Sequence, residues 1–160
     1  MLLSEKQKEA IRAINDNNVT IITGGPGTGK TTIIRSIIEI YKQKKYKIVL
    51  CAPTGRAAKR MSETTGEEAS TLHRLLEIGK VDEESLFKKN SEYKGAPIDG
   101  DIIIVDEVSM VDMFIMSYLL DCIYQGTKLI LVGEVIVTIS RTWKCFERLN
   151  CIRKNSNNTS

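Results

Sequence analysis

Gly24-Gly25-Pro26-Gly27-Thr28-Gly29-Lys30-Thr31 has the spacing G-x-x-x-x-G-K-[ST] of a phosphate-binding loop. Glycines let successive backbone N–H groups turn inward around phosphate oxygens, where a Cβ would clash. A helix beginning near Lys30 would add the positive end of its dipole to the same anion. The chemistry expected is binding of ATP with Mg²⁺. Gly25, Pro26, Gly27, Thr28, Gly29 and Thr32 form the cradle, Lys30 reaches the β- and γ-phosphates, and the Thr31 hydroxyl is a metal ligand. A chance glycine-rich turn is the alternative. The context argues against it, since a β-branched run precedes the loop and an amphipathic stretch follows.

Ile102-Ile103-Ile104-Val105-Asp106-Glu107 supplies a second half about 75 residues downstream. An apolar strand ending in two carboxylates puts Asp106 at the C-terminal edge of a sheet, where it can hold Mg²⁺ through water. Glu107 is then positioned to orient or deprotonate an attacking water. Alone, Asp-Glu after a strand often just caps the next helix. Paired with the loop, it favours nucleoside triphosphate hydrolysis over phosphoryl transfer to a small acceptor.

Alternating elements must position these groups. Ser4-Glu5-Lys6-Gln7 has capping-box spacing, and Ala10, Ile11 and Ile14 follow at helical intervals, predicting a helix over 5–16. Strands are expected at Val19–Thr23, 47–52, Ile102–Val105 and 128–132, the third buried on both faces. Helices are expected over 31–44, 56–63, 71–77 and 111–124. Residues 79–100 are polar with three glycines and a proline, and read as a surface excursion with weak structure. Strand–helix alternation implies right-handed crossovers and an α/β fold with a mostly parallel sheet flanked by helices.

The chain has 160 residues, 42% hydrophobic and 27% charged, the size and balance of one globular domain. No apolar run approaches a membrane span, and charges interrupt residues 1–14, so neither a membrane nor a signal peptide is expected and the cytoplasm is. The net charge of +3 is unevenly placed: residues 1–133 balance at 18 basic and 18 acidic groups, whereas 134–160 hold five and two. The single Trp143, with Cys145 and Cys151, lies in that stretch. The shift divides the chain into a domain over 1–133 and a divergent tail over 134–160. Cys51 and Cys122 sit in apolar company and read as buried free thiols. One His and no CxxC pair give no zinc signature.

Further motifs accompany the first two, in order: Ser4–Gln7 with Ala10 and Ile11, Gly24–Thr32, Cys51-Ala52-Pro53-Thr54-Gly55-Arg56-Ala57-Ala58, Ser70-Thr71-Leu72-His73-Arg74-Leu75-Leu76, and Asp106-Glu107-Val108-Ser109-Met110. Over about residues 2–133 the set resembles the first motor domain of RecD-like DNA helicases, the superfamily 1 group that includes the exonuclease V alpha subunit. The resemblance implies a RecA-like P-loop NTPase fold, incomplete at its C-terminal end, and an ATP-driven motor on single-stranded DNA, with roles in recombination or repair and subunits of a nuclease–helicase complex as partners. It implies that Gln7 contacts adenine, although Gln7 also suits a helix cap. It implies that Thr54, Gly55 and Arg56 contact DNA phosphates, although Arg56 and Arg60 also suit a solvated helix face. His73 would lie near the DNA path or serve a structural role.

The resemblance breaks after Leu131-Val132-Gly133. The family continues with Asp and a Gln-Leu-Pro segment that senses the γ-phosphate, whereas this chain continues Glu134-Val135-Ile136-Val137. Codons for Val137 to Asn150 can be chosen so that a one-nucleotide shift reads Leu-Pro-Ser-Val-Gly-Pro-Gly-Asn-Val-Leu-Lys-Asp-Leu, close to the missing segment. The tail is therefore expected to be out of frame; the rival reading is a genuine divergent tail folding onto the domain. A second motor domain with its arginine finger is expected to lie outside this stretch, leaving a fragment that binds ATP·Mg weakly, hydrolyses it slowly and does not unwind DNA alone. Two alternatives stand: a small free-standing P-loop NTPase or nucleotide kinase, against which the lack of Arg in 79–100 argues, and a non-enzymatic remnant.

Overall fold

The computed structural model describes residues 4–78 and 96–134. Helix α1 spans Glu5–Asp16 and opens on both halves of the capping box: Gln7 N–H donates to Ser4 Oγ and Ser4 N–H to Gln7 Oε1. Strand β1 (Val19–Thr23) leads through the glycine loop into α2 (Lys30–Gln43). Strand β2 (Ile48–Ala52) leads into α3 (Gly55–Thr65), which Gly66 ends in a left-handed C-cap. Strand β3 (Ala69–Thr71) runs directly into the short α4 (Leu72–Leu75). Strand β4 (Ile102–Val105), a 3₁₀ turn at Val108–Met110, helix α5 (Met113–Asp121) and β5 (Lys128–Gly133) complete the described chain.

The strands form one sheet in the order β1-β5-β4-β2-β3, with every pairing parallel. This is the α/β, P-loop NTPase architecture expected. Successive strand residues face opposite sides, and the core divides accordingly. Ile103, Val105, Leu129 and Leu131 pack with Met116 and Leu119 of α5 on one face. Ile102, Ile104, Ile130 and Val132 pack with Ile14, Ile34 and Ile37 of α1 and α2 on the other. All four β4 residues are buried, as its uninterrupted apolar run predicts. Each such isoleucine removed from water contributes roughly 1.5–3 kcal/mol.

Three expectations change. A fifth strand, β3, exists where none was predicted. Ala-Ser-Thr has no apolar pattern, and it is a strand because Leu50, Cys51 and Ala52 offer it a parallel partner. The helix expected over 111–124 is shorter, because Asp112 caps it by accepting from the N–H groups of Phe114 and Ile115. Of the surface excursion, 79–95 and the tail from 135 onward lie outside the described residues. Residues 96–100 carry no regular secondary structure, yet Ile98 is buried and its N–H donates to the Cys122 carbonyl at 2.8 Å.

Candidate nucleotide and nucleic-acid site

In a parallel sheet every strand's C-terminal end lies on one edge, so the loops that follow are gathered there. Ile21 pairs with Leu131, and Leu131 with Val105. The ends of β1 and β4 therefore stand two strand spacings apart, ~10 Å, with β5 between them. The glycine loop leaves β1 and the Asp106-Glu107 pair leaves β4, so they flank the end of β5. Thr54–Arg56 follow β2, and His73 follows β3, whose Thr71 pairs with Ala52. The one edge thus carries, in spatial order, the glycine loop, Gly133, the acidic pair, Thr54–Arg56 and His73.

Within the loop, Gly27 and Gly29 have φ of +74° and +84°, a left-handed geometry that a side chain disfavours. Gly29 is the N-cap of α2 and supplies no capping side chain, leaving the first-turn amides for an outside acceptor. Ser4, Thr54, Thr71 and Asp112 cap the other helices through side-chain oxygens. The Lys30 ammonium donates to the Gly24 carbonyl at 2.5 Å and to that of Gly25 at 3.4 Å. Thr28 Oγ1 donates to Gly25 O at 2.8 Å. Gly25, Pro26, Thr28 and Thr31 are exposed and Thr32 half-buried.

Asp106 is half-buried, and its N–H donates to the Cys51 carbonyl at 3.0 Å. Its Oδ1 accepts from Glu107 N–H at 2.8 Å. Glu107 adopts φ 50° and ψ 41°, a left-handed conformation costing a non-glycine residue on the order of 1–2 kcal/mol. Among the described residues no group of three or more His, Cys, Asp or Glu side chains could hold a metal by itself. The groups expected to serve as metal ligands at this edge are the Thr31 hydroxyl and the Asp106 carboxylate. That set fits Mg²⁺, which takes one or two protein ligands and completes its shell with waters and substrate phosphates.

The Thr54 hydroxyl caps α3 by accepting from Ala57 N–H at 3.2 Å, keeping its own proton for a further acceptor. Gly55, Arg56, His73 and Arg74 are exposed. Gln7 is half-buried with Oε1 committed to the capping box, so its Nε2 donors are what it can offer a base. Burial pushes the Cys51 thiol up to about 12, and Cys122, also beside Asp121, up to about 11. Both are buried free thiols, as expected. The sequence reading missed the left-handed Glu107 and the packing of Gly133 on Val108. Neither leaves a mark in residue type or spacing.

A family model described as an AAA domain matches residues 7–142. The chain is 39% identical over 132 residues to the ATP-dependent RecD2 DNA helicase of Deinococcus radiodurans, covering 82% of this chain and 18% of that protein. It is 38% identical over 148 residues to the RecBCD enzyme subunit RecD of Buchnera aphidicola, covering 80% and 24%. Among solved structures it resembles Bacteroides sp Pif1 in complex with ADP-AlF4, with a TM-score of 0.57 and 25% identity over 84% of this chain and 32% of that one. It also resembles Bacteroides Pif1 bound to ssDNA, with a TM-score of 0.56 and 25% identity over 88% and 35%. The chain spans about a fifth to a quarter of the length of these curated relatives.

Proposed function

The chain belongs to the AAA-domain family, in its RecD-like helicase branch, and from that membership we propose that it binds and hydrolyses ATP as a helicase's first motor domain acting on single-stranded DNA. The observation that carries this is the shared sheet edge, where the glycine loop and acidic pair flank β5 while Thr54–Arg56 and His73 continue the row.

The backbone N–H groups of Gly25 to Thr32 and the first turn of α2 bind the phosphates, and Lys30 moves from the loop carbonyls onto the β- and γ-phosphates. Thr31 and Asp106 would hold Mg²⁺, which would supply charge neutralisation on the transferring phosphoryl group. Glu107 orients the attacking water and takes its proton. Gln7 contacts adenine. Thr54, Gly55, Arg56 and His73 hold the phosphates of single-stranded DNA through hydroxyl, backbone N–H, guanidinium and imidazole. An arginine finger accelerates such reactions by ~10³–10⁵. Residues 4–134 taken alone, with no such finger supplied to them, are expected to turn over slowly and not to unwind a duplex. Assembly with nuclease–helicase subunits and a cytoplasmic location belong to the same proposal. Among the described residues no helix is long and apolar enough to cross a membrane. The tail from 134 onward is proposed to be out of frame, which the nucleotide sequence beyond codon 133 tests directly.

Titration with a fluorescent ATP analogue, with Lys30→Ala as control, tests the site. Saturable binding that the substitution weakens at least about tenfold, the loss of one or two charge-assisted bonds, is expected. A parent chain that binds no nucleotide leaves only a non-enzymatic remnant.

A further inference from the structure

Gly133 ends β5 between the two halves of the proposed nucleotide site. On one side it pairs with Thr23, and its carbonyl accepts from the N–H of Gly24, the first residue of the glycine loop, at 3.3 Å. On the other side, a Cβ built on Gly133 would stand 2.9 Å from Val108 Cγ1, 3.3 Å from Val108 N and 3.5 Å from Ser109 N. Val108 follows Glu107 directly and opens the 3₁₀ turn. It is buried in the core and β-branched, so it has little freedom to swing aside.

Gly133 is not among the residues with positive φ, so its backbone has no need of glycine. What the position requires is space. We infer that Gly133 is a positioning residue: its missing side chain lets the Asp106-Glu107 turn settle against the end of β5, while its carbonyl fixes the start of the glycine loop. One residue thereby sets the separation of the phosphate cradle from the carboxylates. A methyl group there drives Val108 and the backbone behind it outward, and Glu107 and Asp106 move with them. The glycine loop, held through the carbonyl that an alanine retains, stays in place. The inference rests on the reading of Asp106 as a holder of Mg²⁺ beside bound ATP.

The test compares ATP affinity with and without Mg²⁺ for the parent chain, Gly133→Ala, Val108→Ala and the double variant, using a fluorescent ATP analogue. Gly133→Ala is expected to leave the Mg²⁺-free affinity unchanged and to cut the gain from Mg²⁺ about tenfold, the usual effect of disturbing a ligand's support. Val108→Ala removes the side-chain contact at 2.9 Å, the shortest of the three that the new methyl meets, so the double variant regains most of the Mg²⁺ response. An undiminished response in Gly133→Ala, or a double variant no better than Gly133→Ala, overturns the inference while leaving the nucleotide site standing. If Gly133→Ala does not fold, the double variant must fold and respond to Mg²⁺, and its failure is equally fatal. A parent that binds no ATP removes the proposed function itself. A parent that binds ATP without any response to Mg²⁺ removes the acidic half, and this inference with it.

Discussion

The N–H of Asp106 donates to the carbonyl of Cys51 across 3.0 Å. Cys51 lies three residues before Thr54, so this bond ties the carboxylate proposed for Mg²⁺ to the strand that delivers the proposed DNA contacts. The proposed nucleotide and DNA halves are thus joined by one backbone hydrogen bond between neighbouring strands.

Arg56 is exposed in the first turn of α3. Arg56→Ala is expected to weaken single-stranded DNA binding uniformly across sequences and to lower the slope of log affinity against log salt by about one, with the melting temperature unchanged. A slope equal to the parent's removes Arg56 from the interface.

Glu107 bears backbone strain that glycine would not. Glu107→Gly is therefore expected to leave stability within ~1 kcal/mol of the parent, the relief at φ 50° offsetting the extra freedom of the unfolded chain. Glu107→Gln is expected to keep ATP binding and abolish single-turnover hydrolysis. Urea titration and a phosphate-release assay separate the two. A large stability loss in Glu107→Gly contradicts the strain, and undiminished hydrolysis in Glu107→Gln contradicts the role.

Removing the Ser4 hydroxyl opens the capping box. Ser4→Ala is expected to destabilise the chain by about 1 kcal/mol by leaving the Gln7 N–H without its acceptor, and, because a frayed first turn loosens the Ser4 N–H bond that holds Gln7 Oε1, to lower the preference for ATP over GTP. Denaturant titration reads the first effect and competition binding the second. A Ser4→Ala variant with normal selectivity separates the cap from base recognition.

Burial raises Cys51 from 9.0 to about 12; burial first and the Asp121 carboxylate second raise Cys122 from 9.0 to about 11. The folded chain therefore holds protons that the unfolded chain releases above pH 9. The stability these thiols contribute is complete below pH 9 and lost as pH rises through about 11 and 12. The urea midpoint is expected to fall steadily above pH 9, and peptide mapping after alkylation at pH 8 to find both thiols unmodified until denaturant is added. Modification of Cys51 in the native chain places that thiol nearer the surface than its burial allows.

Several parts of the site were legible in the residues because they are local. The capping box forms at Ser4 and Gln7 since both partners lie within one helical turn. The glycine loop follows a β-branched strand and precedes an amphipathic helix, so its setting could be read over a couple of dozen residues. The isoleucine run of β4 can satisfy itself only with both faces covered. β3 was not legible, because three small polar residues become a strand only when β2 lies alongside. The helix beginning at Met113 was misjudged because apolar periodicity outlasts it, while the Asp112 cap decides where it starts.

The residue order by itself singled out the groups proposed to do chemistry: a glycine cradle with its lysine, a carboxylate pair, and basic residues after strands. Each is a short-range pattern whose physics is complete within one strand and its following turn. The tertiary structure alone decided that β5 stands between the loop and the carboxylates, that Gly133 must leave room for Val108, and that Glu107 takes a left-handed turn. Those outcomes come from pairings between residues far apart in sequence, selected by which apolar faces can be buried together, and no local pattern encodes them.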